Sequence, residues 1–112
     1  MCEFRKIILD ETGYVAQCPL CQSVQVVYGT SVVHICPMDW ISFRAYLHDI
    51  CHDHRIPENK SLKNIMLNFG GEGPLQMFLT ANELQKFFSL VDKADSEISA
   101  RQMMKLLTAK NK

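Results

Sequence analysis

Cys18-Pro19-Leu20-Cys21 stands between two β-rich runs, Tyr14 to Gln17 before it and Gln22 to Tyr28 after it. Two thiols two residues apart reach one tetrahedral metal ion, or each other. The run that follows alternates with period two: Val24, Val26 and Tyr28 fall on one face, and Ser23, Gln25 and Val27 on the other. Upstream, Glu3 to Glu11 carries Phe4, Ile7, Ile8 and Leu9 and reads as a strand. It ends at Thr12-Gly13, where glycine's tolerance of positive φ suits a tight turn. Gly29-Thr30 is a second turn, and Ser31 to Cys36 a fourth strand. Residues 3–36 are therefore expected to form an antiparallel meander that carries the cysteine pair.

Pro37-Met38-Asp39 reads as a helix start, with proline in the first helical position and an acid in the first turn. Trp40, Phe43, Leu47 and Cys51 recur at three-four spacing, which places a helix over residues 37–53 with one apolar stripe. Residues 63–79 read as a β-hairpin. Ile65, Leu67 and Phe69 alternate with polar neighbours, and Gly70-Gly71-Glu72-Gly73-Pro74 forms the tip. Thr80 and Glu83 match a capping box, and Leu84, Phe87, Val91, Ala94 and Ile98 continue at helical spacing. The C-terminal helical segment spans residues 81–108, and Ser99 with Gln102 is read as the start of a further short turn. This order of elements defines an α+β class in one domain of 112 residues.

Composition narrows the function classes. Apolar residues make up 47% and charged residues 21%, as in a folded soluble protein. Twelve basic residues balance twelve acidic ones, and residues 14–40 contain no Lys or Arg, so nucleic acid is not an expected partner. The opening residues lack the apolar core of a signal peptide, and no apolar run approaches the roughly 18 residues that cross a bilayer. A cytoplasmic protein without a membrane partner is expected, and five cysteines, an odd number, suit reduced thiols.

Geometry then proposes a ligand set. A two-residue turn at Gly29-Thr30 sets Tyr28 across from Ser31 and Cys36 across from Ser23, diagonal to Cys21 at roughly 7–8 Å. A two-residue turn at Thr12-Gly13 sets Ile7 across from Cys18 and carries the N-terminus past the pair. Cys2, Cys18, Cys21 and Cys36 would then converge on one structural Zn2+, whose binding contributes directly to folding.

The segment from about residue 14 to 40 also resembles the zinc-ribbon family, whose knuckles read Cys-Pro-x-Cys on hairpin tips. Cys18-Pro19-Leu20-Cys21 matches one knuckle. Cys36-Pro37-Met38-Asp39 looks like the second, with Asp39 in place of a thiol and Gln22 where ribbons favour glycine. Over most of its length the chain resembles an uncharacterised family of small bacterial proteins. The likeness rests on the Met-Cys start, Gly13-Tyr14-Val15 before the Cys-x-x-Cys, Tyr28-Gly29-Thr30 and the Leu-Thr cap of the last helix. That resemblance implies Cys2, Cys18 and Cys21 as ligands and brings no activity with it.

Each candidate has a plainer reading. Cys2 can be a frayed terminal residue, Cys36 a half-buried strand thiol, and Asp39 a first-turn acid. His34 and the cluster His48, Cys51, His52 and His54 are alternative ligands. His48, Cys51 and His52 share a helix face, but a solvated helix end explains them as well. The expected function is a zinc-binding adaptor module, not an enzyme, with a protein partner or a second copy. The alternative is a thiol–disulfide redox protein or sensor using Cys18 and Cys21.

Overall fold

The computed structural model describes residues 3–52, 65–69 and 75–110. Four strands, β1 (Arg5–Leu9), β2 (Gly13–Gln17), β3 (Val24–Tyr28) and β4 (Ser31–Ile35), pair in sequence order as an antiparallel sheet. A single 3-10 turn at Pro37–Asp39 leads into α1 (Trp40–Cys51). The hairpin β5 (Ile65–Phe69) and β6 (Leu75–Leu79) forms a separate two-stranded sheet, and α2 (Ala81–Lys110) closes the chain. The class is α+β, as the order of elements predicts. The expected ends of the first helix and of the hairpin, at residue 53 and residues 63–64, lie outside the described residues, as does the 70–74 tip.

The β3–β4 register is the expected one, with Tyr28 paired to Ser31 and Val24 to Ile35. The β1–β2 register is not. Arg5 pairs with Gln17 and Leu9 with Tyr14, with an irregularity between Lys6 and Ile8. Continuing that pairing sets Phe4, not Ile7, across from Cys18. The cause is Asp10, whose Oδ1 accepts the Thr12 N–H at 2.7 Å, the Gly13 N–H at 3.2 Å and the Thr12 hydroxyl at 2.6 Å. An aspartate capping its own turn this way moves the two loop residues to Glu11 and Thr12, closed by the Asp10 N–H on the Gly13 carbonyl at 3.0 Å, and the irregularity between Lys6 and Ile8 adds the rest of the shift. Burial pushes the Asp10 carboxyl up, but the hydrogen bonds from Thr12 and Gly13 outweigh it and set its pKa below the ordinary value. Gly13 is required at its position for close approach rather than for the expected positive φ, which among the described glycines Gly29 alone takes: a Cβ at Gly13 would run into the Val27 carbonyl.

One face of the meander is the core face. Val15, Val26 and Val33 lie in register across three strands, flanked by Val24, Ile35 and Tyr28, and all are buried. The helices cover that face. From α1 come Trp40, Phe43 and Leu47; from α2 come Leu84, Phe87, Leu90, Val91, Ala94 and Ile98. Ile65, Leu67, Met77 and Leu79 of the hairpin belong to the same cluster. Phe87 is the junction: its ring stacks on Tyr28 at 5.1 Å and meets Phe43 at 6.1 Å. The Tyr28 hydroxyl donates to the Glu83 carbonyl at 3.0 Å.

α1 is latched to α2 by polar contacts at its edge. The Trp40 indole N–H donates to Asp95 at 3.0 Å, and the Arg44 Nε–H donates to Asp92 at 3.0 Å. The capping box of α2 forms as expected, with the Thr80 N–H on Glu83 Oε1 at 3.0 Å and the Glu83 N–H on Thr80 Oγ1 at 3.1 Å. α2 does not break at Ser99. Nothing there removes a backbone donor, and an Arg101–Glu97 ion pair of 2.8 Å spans the position one turn apart.

Replacing Phe87 by Ala is expected to cost about 3–5 kcal/mol in urea unfolding, the range for a buried aromatic whose cavity does not collapse. Leu106→Ala, at a side chain 65% exposed, should stay within about 0.5 kcal/mol of the parent. Equal effects would remove Phe87 from its place at the junction.

Candidate metal centre

β2 ends at Gln17, and the chain reverses through Cys18 to Ser23 before β3 begins. Two backbone bonds close the reversal: the Gln22 N–H donates to the Cys18 carbonyl at 2.9 Å, and the Cys18 N–H to the Ser23 carbonyl at 3.0 Å. Gln22 takes φ 67°, and among the described residues no other non-glycine residue has positive φ. A side chain in that region costs roughly 1–2 kcal/mol. The Gln22 side chain offsets part of this by donating from Nε2 to the Pro19 carbonyl at 3.0 Å, and Gln17 Nε2 donates to the Gln22 carbonyl at 3.3 Å. The left-handed residue therefore sits where zinc ribbons favour glycine.

This turn buries one sulfur and presents the other. Cys18 has 0% of its surface exposed, whereas Cys21 is exposed. The Cys18 sulfur accepts backbone N–H bonds from Cys21, Leu20 and Glu3, and the Cys21 side chain also lies within hydrogen-bonding reach of it. The Cys21 N–H is the largest influence on the Cys18 thiol. Together with the Leu20 and Glu3 N–H groups it outweighs burial and the Cys21 side chain and pulls the pKa below the ordinary thiol value. Three backbone donors aimed at one sulfur favour the thiolate, the form that binds metal. None of these donors is a side chain, so residue types alone carried no signal of them; the signal was the Cys-x-x-Cys spacing itself.

Of the predicted ligands, Cys18 and Cys21 come together. Cys36 is exposed at the entry to the 3-10 turn, where its carbonyl accepts the Asp39 N–H at 2.9 Å. Among the described residues no three His, Cys, Asp or Glu side chains converge as a metal site, so Cys36 does not join the pair in this arrangement. Cys36 itself keeps extended geometry, φ −67° and ψ 152°, and the 3-10 turn begins directly after it. Cys2 lies outside the described residues. His34 is exposed and its ring meets Phe4 edge-on at 5.6 Å.

The second cluster is divided by its helix. His48 and His52 stack at 4.3 Å, and the His52 Nδ1–H donates to the His48 carbonyl at 2.8 Å. Both rings pack edge-on against Phe88. Cys51 turns inward, its thiol donating to the Leu84 carbonyl at 3.8 Å, and burial pushes its pKa up. That thiol is held protonated beside a carbonyl. His54 lies outside the described residues.

Comparison with family models, with curated proteins and with solved structures gives no match for this chain. The arrangement itself supplies one buried, thiolate-favouring sulfur, a neighbouring exposed thiol, and a backbone strand that reaches the first of them.

In the reduced, metal-free protein the Cys18 thiol is expected to titrate below, and Cys51 above, an unstructured cysteine, as read from 13Cβ chemical shifts. Because folding lowers the Cys18 pKa, its contribution is present above the unfolded pKa and is lost as pH falls through the folded one. Stability should thus rise with pH between those two values, and Cys18→Ser should flatten that rise. A Cys18 midpoint at or above that of the unfolded chain would contradict the hydrogen-bond assignment.

Proposed function

We propose that the chain is a metal-binding module in which Cys18 and Cys21 hold one structural Zn2+ and Cys2 supplies a third thiolate. The observation that carries this reading is the set of N–H donors on the Cys18 sulfur. Thiolates gathered around one ion need their charge offset, and N–H···S bonds supply part of that offset before the metal arrives. The Glu3 N–H is one of those donors, and Cys2 is bonded to that same nitrogen through its carbonyl carbon. Zinc suits a thiolate set because it is borderline-soft and redox-inert. The ion would tie the N-terminal strand to the β2–β3 turn, in a domain small enough for such a tie to matter. In this reading the protein works through what it binds and not through catalysis.

The redox alternative uses the same two thiols but suits the burial less well. An attacking thiolate must combine low pKa with access. Here the favoured thiolate, Cys18, is the buried one, and a strand rather than a helix follows the pair. A disulfide enzyme reverses that assignment.

Native mass spectrometry of protein purified under reducing conditions without a metal-affinity tag is expected to give one zinc per chain. Cys18→Ser should abolish metal retention and Cys51→Ser should leave it intact. Cys2→Ser should weaken zinc binding by more than the ~10–100-fold lost with a supporting hydrogen bond, and Cys36→Ser should not. Zinc-free protein that is fully folded and indifferent to chelators would overturn the structural role.

A further inference from the structure

α2 changes character where it passes the cysteine turn. Up to Ile98 its body-facing stripe is apolar, through Leu84, Phe87, Val91 and Ala94, all buried. The same stripe continues at three-four spacing from Ile98 as Arg101, Gln102 and Lys105. These three residues line a cleft of about 150 Å3 against β1 and the knuckle, with Arg5 and Gln17 on the opposite wall and Pro19 and Gln22 at its side. Meanwhile the apolar residues of these turns, Met103, Met104, Leu106 and Leu107, face outward. A helix end that merely finished the core would have the reverse pattern. Polar groups have been placed facing the body, and apolar ones away from it.

The cleft's chemistry is one-sided. Arg5, Arg101 and Lys105 bring three cations, the three glutamines bring amide donors, and no Asp or Glu lines it. Arg5 and Gln17 are cross-strand partners, so their side chains start from one face of the sheet. Glu97, paired with Arg101 at 2.8 Å, compensates one of the three charges and leaves an excess of about two. A phosphomonoester carries about −1.5 to −2 at neutral pH. Arg is suited to bidentate contact with phosphate oxygens, and a concave wall of one sign concentrates such an anion. The volume is that of a benzene-sized guest, which admits a phosphate with a small substituent and excludes a large ligand.

We propose that this cleft binds the phosphate group of a small phosphomonoester, held by Arg5, Arg101 and Lys105 with the glutamine amides as orienting donors. The three cations come from β1 and α2, Gln17 and Gln22 come from the ends of the cysteine turn, and no cysteine lines the cleft, so the proposal does not require metal at the knuckle. Its test is a 15N NMR titration of the protein as purified, following the side-chain amides of Gln17, Gln22 and Gln102 with inorganic phosphate at constant ionic strength. Saturable shifts in the millimolar range are expected, with none from chloride. Arg5→Gln/Arg101→Gln should weaken binding at least tenfold, while Lys86→Gln/Lys93→Gln, at the separate cleft beside Asp10, should not. Lys105→Gln at an exposed helix position provides the same readout if the double variant does not fold. Shifts that do not saturate, equal shifts from chloride, or unchanged binding in the Arg5/Arg101 and Lys105 variants would overturn the proposal. So would tighter binding of a single-stranded oligonucleotide lacking terminal phosphate, which would identify the cleft as a backbone contact for nucleic acid.

Discussion

The aromatic contact of Phe87 with Tyr28 and Phe43 is the constraint on which the molecule's layout rests. It joins the last residue of β3, the first turn of α1 and the first turns of α2 at one fully buried ring. The Tyr28 hydroxyl bond to Glu83 fixes how far along the sheet the helix begins. Once that point is set, helical rise of 1.5 Å per residue determines which residues of α2 pass which strands. Ile98, three turns on, reaches the level of the knuckle, where it lines the clefts shared with Gln17 and Gln22. The position of a polar stripe at the far end is thus a consequence of apolar packing at the near end.

The knuckle shows the opposite economy, in which strain is accepted locally for the sake of one atom's surroundings. With Gln22 in the left-handed region the chain after it turns back, and the Ser23 carbonyl accepts the Cys18 N–H at 3.0 Å. Glycine would adopt this conformation more readily. Glutamine instead adds a side-chain bond to the Pro19 carbonyl, so the turn is held by its own residues as well as by the strands on either side. Non-glycine strain of this kind collects where geometry serves a function.

Much of this was legible in the sequence, and the parts that were not share a cause. Period-two alternation identified β3 and β5, the glycine turns after them supplied their partners, and three-four spacing identified both helices, because each periodic pattern reports burial directly. The β3–β4 register followed from a glycine turn with no competing side chain. The β1–β2 register did not, because it depends on Asp10 bonding to Thr12 and Gly13, a contest between side chain and backbone that residue counting does not resolve. The same shift sets Phe4 rather than Ile7 across from Cys18 when the pairing is continued. The pair at Cys18 and Cys21 lies together because its spacing is local, whereas Cys36, extended at φ −67° and ψ 152°, stands at the entry to the 3-10 turn and does not group with it among the described residues.

Charge was the least legible property, although it is the simplest to count. Balanced totals, and a knuckle segment free of Lys and Arg, argued against nucleic acid as a partner. Yet a count along the chain treats residue 5 and residue 105 as remote, and the fold makes them opposite walls of one cleft. Neutral overall charge restricts long-range steering; it sets no limit on a short-range site whose acids lie elsewhere on the surface. The relevant sequence signal was periodic rather than compositional. Ile98, Arg101, Gln102 and Lys105 share the stripe that begins with Leu84 and Phe87, so a reading of α2 by face locates the cations on the body side of the helix. The feature that the stripe meets there is the β2–β3 turn, built around a strained residue and a thiolate-favouring sulfur.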